Sequence, residues 1–170
     1  MILFIQQDIA EVEADVIVNA ANGIGYMGGW LGRWFRDHGV AESLHYASNG
    51  SIERRAKKQA RKHRPKPGEV YITEAHPLKV KWIFHAVTMR FPGTWTKFHV
   101  VEKCLQTIIQ EAKNHKIKSI AIPGLGTGTG GLSLDDIIPL YKQYLEPETE
   151  LTIYLVDPSG KLQTAFEKHT

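Results

Sequence analysis

The 170-residue chain contains a single cysteine, Cys104, which excludes an internal disulfide and any cysteine-rich metal centre. Cys104 sits among Val101, Leu105 and Ile108, so it reads as a small core residue. Long hydrophobic runs are missing too. The 42 % of residues that are hydrophobic fall in short runs, none approaching the roughly 20 apolar residues that cross a bilayer. No basic stretch leads into a longer apolar one near Met1, so no signal peptide is expected, and the cytoplasm is the expected compartment with no membrane partner. Internal repeats, low-complexity tracts and linkers are absent as well. The length fits one domain over 1–170, large enough to bury a core without disulfide or metal staples.

Charge is modest overall, with a net +3 and a pI near 8.9, but it is unevenly placed. Arg54, Arg55, Lys57, Lys58, Arg61, Lys62, Arg64 and Lys66 crowd into one short stretch, and on a helix they would occupy nearly every face. The stretch reads either as a solvated surface helix or as a patch that attracts nucleic acid or another anion by counterion release. No aromatic residue interleaves with these charges, so base stacking is not supported within the segment.

Apolar periodicity sets out an alternating pattern. Ile2 to Ile5, Val16 to Val18, Ser119 to Ile122 and Leu151 to Val156 are short runs of buried-strand type. Val70 to Thr73 and Trp82 to Val87 read as an antiparallel pair joined by a turn near Pro77. Trp30, Leu31, Trp34 and Phe35 recur at helical spacing between Trp30 and Leu44. A basic helix is expected after Ser51 as N-cap, stopped by Pro65 and Pro67. Val101, Leu105, Ile108, Ile109 and Ala112 form one apolar stripe, and Ser133 with Asp136 resembles a capping box opening a helix that reaches about Leu145. Phe91 to His99 is an unassigned loop. Strands and helices alternate with one β-β step, so the expected class is α/β, with helices on both faces of a mixed, mostly parallel sheet.

In such sheets ligands bind beyond the carboxyl ends of the strands. Two glycine-rich segments fall there, Asn19 to Gly29 after the second strand and Gly124 to Gly131 before the Ser133 helix. Glycine at that density lets backbone N–H groups face an anion without obstruction, and a following helix adds its positive N-terminal end. The second segment is not a Walker A loop, since no Gly-Lys-Ser/Thr closes it. Gly126, Gly128 and Gly131 do match G-x-G-x-x-G, which keeps open an alternative reading as an NAD-binding dinucleotide fold. Against it, that fingerprint normally opens its domain, whereas here only one strand and a short tail follow.

Taken together these motifs resemble the macro domain family over nearly the whole chain. Gln7-Asp8-Ile9 with Ala14-Asp15-Val16-Ile17-Val18-Asn19-Ala20-Ala21-Asn22 resembles its opening pattern, while Gly68 to Thr73 and Trp82 to Val87 resemble its central strands. Ser119 to Pro123 with the second glycine loop is similar to the glycine-richer bacterial and phage members. The resemblance implies a three-layer α/β/α sandwich and a cleft for ADP-ribose or a derivative, with no cofactor and no metal. By the same resemblance Asp8 would accept from the adenine amino group beside the Ile9 backbone, and Asn22 would face the distal ribose as the candidate catalytic residue. Gly28 and Gly29 would pass close to that ribose and the diphosphate. Gly126, Thr127, Gly128, Thr129 and Gly130 would wrap the phosphates, and Asp157 would lie near the adenine. Hydrolytic members carry an aspartate shortly after the first loop, where this chain has Gly32, and a glycine cannot act as a base. ADP-ribosyl hydrolysis or ADP-ribose-phosphate cleavage would then rest on positioning. ADP-ribosylated protein or nucleic acid are the implied macromolecular partners, and a nucleic-acid-associated module acting through segment 54–66 is the alternative of a different class.

Overall fold

The computed structural model describes residues 1–29 and 39–169. Six strands form one sheet: β1 (Ile2–Ile5), β2 (Val16–Asn22), β3 (Val70–Glu74), β4 (Trp82–Met89), β5 (Ser119–Ile122) and β6 (Thr152–Val156). Their order is β1-β6-β5-β2-β4-β3, parallel throughout except for the antiparallel β3-β4 pair at one edge. Among the described residues the helices are α1 (Val40–Ala47), α2 (Ser51–His63), α3 (Phe98–Asn114), α4 (Leu134–Leu145) and α5 (Lys161–Lys168), with a 3-10 turn at Ile9–Glu11.

The side-chain period of two explains why the strands are short and apolar throughout: alternate residues enter two separate cores. On β2, Val16 and Val18 join Phe84, Ile120 and Ile153 beneath α3, α4 and α5, while Ile17 joins Ile83, Val87 and Val156 beneath α1 and α2. The Val101, Leu105, Ile108 and Ala112 stripe of α3 is buried against the first of these cores, and each side chain of this size stabilises the fold by about 1.5–3 kcal/mol on burial. Cys104 lies in the same layer, and burial pushes its thiol up to about 12, so it is a packing residue rather than a nucleophile. Asp15 fixes the amino-terminal edge, its carboxylate accepting from the Lys118 and Ser119 amides at 2.9 and 3.1 Å.

Several expectations need correction. Gly50, not Ser51, is the N-cap of α2, because the chain enters the helix through a left-handed turn (φ 75°) that a side chain resists. Ser51 is instead the first helical residue and donates to the His76 carbonyl. The basic residues of α2 do not occupy every face, since Ile52, Glu53, Ala56 and Ala60 form a buried stripe at i, i+4 and i+8 that packs toward β3. The expected Trp30 to Leu44 helix falls largely on 30–38, outside the described residues, and the described part begins at Val40. The short tail after β6 is a helix, α5, with Leu162, Ala165 and Phe166 turned to the core. The sheet order also removes the dinucleotide alternative: the G-x-G-x-x-G loop follows a central strand flanked by β6 and β2, in a sheet that is not wound 3-2-1-4-5-6.

Candidate functional site

Because β6, β5, β2 and β4 are adjacent and parallel, their carboxyl ends open on one edge of the sheet. The loops leaving them enclose a cleft of about 600 Å³, within the range of small-molecule sites. Asn22 comes from the end of β2 and Tyr26 and Gly28 from the loop after it, Thr88, Met89, Pro92 and Gly93 from the end of β4 and its loop, Gly124 and Gly126 to Gly130 from the loop after β5, and Asp157 to Ser159 with Lys161 from the segment after β6. The amino end of α1, Gly39 to Glu42, closes another side.

The loop after β2 is built around one side chain. Asn22 is 7 % exposed; its Oδ1 accepts from the amides of Ile24 and Tyr26 at 3.2 and 3.1 Å, and its Nδ2 donates to the Tyr26 carbonyl at 2.7 Å. Asparagine suits this because one amide supplies acceptor and donor together. Three of its hydrogen-bonding functions are therefore consumed within the loop, and one N–H remains. Tyr26 in turn donates through its hydroxyl to the Gly28 carbonyl at 2.8 Å.

The loop after β5 is held the other way, by partners on its rim. The Tyr141 hydroxyl of α4 donates to the Pro123 carbonyl and accepts from the Leu125 amide at 2.8 Å, so one buried side chain fixes both turns of the chain there. Thr127 Oγ1 donates to the Gly124 carbonyl at 2.8 Å, the Leu132 amide donates to the Gly126 carbonyl, and the Thr96 amide donates to the Gly130 carbonyl, each of these two at 3.0 Å. What remains is a set of backbone donors. Among the described residues, the N–H groups of Gly126, Gly128, Thr129 and Gly130 meet no acceptor. Glycine is required at 126 and 130: residue 126 has φ +78°, and a Cβ at 130 would lie 2.6 Å from the Gly126 carbonyl oxygen. The capping box at the start of α4 is present, Ser133 Oγ accepting from the Asp136 amide and the Asp136 carboxylate accepting from the Ser133 amide, so the helix's own first turn is satisfied without the loop.

At the far end, burial raises the Asp157 carboxyl, but hydrogen bonds from Leu162, Ser159 and Lys161 outweigh it and hold the group below its ordinary range. Its oxygens accept from the Leu162 and Ser159 amides at 2.9 and 3.0 Å and from the Ser159 hydroxyl, which shapes the turn into α5. Lys161 is the one cation among the described lining residues, and Glu42 and Asp157 are the acids.

The structure brings Asn22, Gly28, Gly126, Thr127, Gly128, Thr129, Gly130 and Asp157 together around this cleft. Asp8, Ile9 and Gly29 do not line it. Asp8 caps the 3-10 turn, accepting from the Ala10 amide at 2.9 Å and from the Ser43 hydroxyl of α1 at 2.6 Å, so it braces the helix whose amino end forms a wall. Ile9 is buried in the core beneath α1. Gly29 lies beside Tyr26, bordering a different depression with His45 and Lys57. Gly32 is outside the described residues. The sequence reading missed Tyr141 and Thr96, which set the second loop, and neither carries a local signal, since each acts from another element. No cluster of three or more metal-ligating side chains occurs among the described residues.

Comparison with known proteins places this architecture. The macro domain family model matches residues 18–140. An uncharacterized protein of Aquifex aeolicus is 34 % identical over 96 % of this chain and 94 % of its own length. An uncharacterized protein of Sulfurisphaera tokodaii is 33 % identical over 77 % of this chain, which spans 66 % of that longer protein. In fold, the chain is similar to the macrodomain of Mycobacterium tuberculosis DarG, with a TM-score of 0.80 at 19 % identity over 93 % of this chain and 98 % of the other. It is also similar to a Trypanosoma brucei macrodomain in complex with ADP-ribose, with a TM-score of 0.76 at 20 % identity over 99 % of this chain and 68 % of the other. With its mixed six-stranded sheet between two helical layers and a family match over most of its length, the chain belongs to the macro domain family.

Proposed function

We propose that the chain is a single macro domain over 1–170 that binds ADP-ribose, or a group ending in it, in the cleft at the carboxyl ends of β6, β5, β2 and β4. The observation that carries this is the set of N–H donors at Gly126, Gly128, Thr129 and Gly130 that meet no acceptor among the described residues, beside a cleft whose described lining has Lys161 as its one cation. Neutral, fixed donors suit a diphosphate held within a larger ligand, because they cradle charge without the strong pull on free phosphate that a lysine cluster exerts. The similarity to a macrodomain in complex with ADP-ribose supports the same ligand. Binding is the function assigned, and Asn22, with most of its amide committed to the loop, acts as a positioning residue. The single buried cysteine fits a reducing cytoplasm.

Calorimetric titration with ADP-ribose, NAD and AMP tests this reading. Micromolar binding of ADP-ribose, clearly tighter than either comparison ligand, is expected, with no release of ADP-ribose from ADP-ribosylated substrates and no phosphate from the 1″-phosphate. Equal affinity for NAD would overturn the ligand assignment. Turnover by wild type that disappears in Asn22→Ala would replace the binding module by a hydrolase.

A further inference from the structure

We infer that Glu42 is a specificity-determining residue that sets the charge class of the ligand. Its carboxylate fills the anion site that the amino end of α1 would otherwise offer. The cleft therefore takes a diphosphate whose far end is an uncharged, hydroxyl-bearing sugar, and rejects the same ligand ending in a phosphate. The inference rests on the cleft being the ADP-ribose site, and it concerns the end of that ligand which the loop of 126–130 does not hold.

Two elements around the cleft are suited to anions. One is the loop after β5, with its N–H donors at Gly126, Gly128, Thr129 and Gly130. The other is the amino end of α1, where first-turn N–H groups and the helix dipole concentrate positive charge, and where the N-cap, Gly39, has no side chain to answer it. Glu42 is the third residue of that helix and turns its carboxylate back over this end. A Cβ at Gly39 would collide with Glu42 Oε2, and a Cβ at Gly28 would lie 2.9 Å from Glu42 Cγ and 3.4 Å from Oε1. The backbone at Gly39, φ −73° and ψ 165°, is one that any residue adopts, so glycine there makes room for the carboxylate rather than for a turn. Glycines on two separate elements thus flank one acid that lines the cleft.

The neighbouring groups complete the pattern. The Gly28 amide meets no acceptor among the described residues, and Asn22 keeps one N–H beyond its three hydrogen bonds within the loop. An acceptor carboxylate beside two N–H donors matches sugar hydroxyls, each of which both donates and accepts. An ionised phosphate accepts only. It would use the two donors but stand against Glu42, and a second negative charge beside a half-buried carboxylate is costly. Lys161, the one cation of the described lining, follows β6, whereas Gly28 follows β2, with β5 and its loop between them. Its charge therefore serves the opposite end of the ligand.

Calorimetric titration of wild type, Glu42→Gln, Gly39→Ala and Glu13→Gln with ADP-ribose and with ADP-ribose 1″-phosphate tests the inference. The readout is the ratio of the two affinities within each protein, which cancels any general loss of binding. Wild type is expected to bind ADP-ribose at least about tenfold more tightly than the 1″-phosphate, and Glu42→Gln, which keeps the shape and one acceptor oxygen, should bring the ratio to about threefold or less. Gly39→Ala, which the backbone accommodates, pushes the carboxylate aside and should lower the ratio as well. Glu13→Gln removes an equal charge from an exposed ion pair with Lys79, outside the cleft lining, and should leave the ratio unchanged. A 1″-phosphate that binds wild type as tightly as ADP-ribose, a ratio that survives Glu42→Gln, or one that Glu13→Gln lowers equally would overturn the inference while leaving ADP-ribose in the cleft. ADP-ribose that fails to bind wild type at all removes the cleft reading and this inference with it.

Discussion

The two glycine-rich loops that border the cleft solve the same folding problem in opposite ways. In the loop after β2, a side chain reaches inward: Asn22 satisfies the Ile24 and Tyr26 amides itself, so the backbone donors near it are used up. In the loop after β5, Tyr141 and Thr96 grip from outside and take carbonyls plus the single Leu125 amide, leaving the Gly126, Gly128, Thr129 and Gly130 donors free. Gly126 and Gly130 are buried, and an unused buried donor costs stability unless a ligand or water completes it, while Gly128 and Thr129 are open to solvent. The amides of Met27, Gly28 and Gly29 at the far end of the first loop also meet no acceptor among the described residues, so the contrast is between residues 23–26, a shaped wall, and residues 126–130, which we propose as the anion-binding element.

Substitutions can break this contrast. Gly130→Val should have the largest effect: its Cβ meets the Gly126 backbone at 2.6 Å, so the loop must open, and ADP-ribose affinity should fall at least hundredfold by calorimetry. Asn22→Ala removes three hydrogen bonds from the wall but none of the backbone donors of the loop after β5. It should lower stability by about 1–3 kcal/mol and affinity by roughly tenfold, read from urea unfolding and titration together. Tyr141→Phe deletes one hydroxyl that holds two backbone groups, with an expected loss of about 1–3 kcal/mol in stability and a severalfold loss in affinity. If Asn22→Ala proved more damaging to binding than Gly130→Val, the assignment of roles to the two loops would be reversed.

The interior of the sheet provides a control that should leave binding untouched. His85 is fully buried on β4 between Asn19 Nδ2 at 3.1 Å and Thr73 Oγ1 at 2.8 Å, stacked on Tyr71 at 4.5 Å, and burial lowers its pKa to about 3. Its folded value is below the unfolded value of about 6.5, so unfolding takes up a proton in that window. Stability should be full above about pH 6.5 and fall toward pH 3, by at most about 1.4 kcal/mol per pH unit from this residue. Unfolding measured across that range should show the slope, and His85→Gln should flatten it without altering ADP-ribose affinity at pH 7.

The fold was largely legible because burial on both faces leaves a plain mark: runs such as Val16 to Val18 and Ser119 to Ile122 have no other stable place. The α3 stripe and the Ser133 capping box were equally plain, since each is a pattern within one segment. Legibility failed where one segment depends on another. Ser51 looked like a cap until Gly50 showed the left-handed entry, and the all-round charge of α2 hid the Ile52, Ala56 and Ala60 stripe because only short apolar residues carry it. Helix α5 was overlooked for the same reason, its core contacts being just Leu162, Ala165 and Phe166. At the site, glycine spacing marked both loops, but which loop keeps free donors is decided by Tyr141 and Thr96, elsewhere in the chain. Asp8 illustrates the converse, a residue whose motif pointed to the ligand and whose carboxylate in the structure braces Ser43 and α1.

The most direct test is a proton-nitrogen correlation spectrum of the amides during an ADP-ribose titration, since a hydrogen bond to a phosphate oxygen moves an amide proton downfield. The account predicts large downfield shifts for Gly126, Gly128, Thr129 and Gly130 and small ones for Ile24 and Tyr26, whose amides already donate to Asn22. Saturating ADP-ribose that leaves the four loop amides in place, or that moves Ile24 and Tyr26 instead, would contradict it.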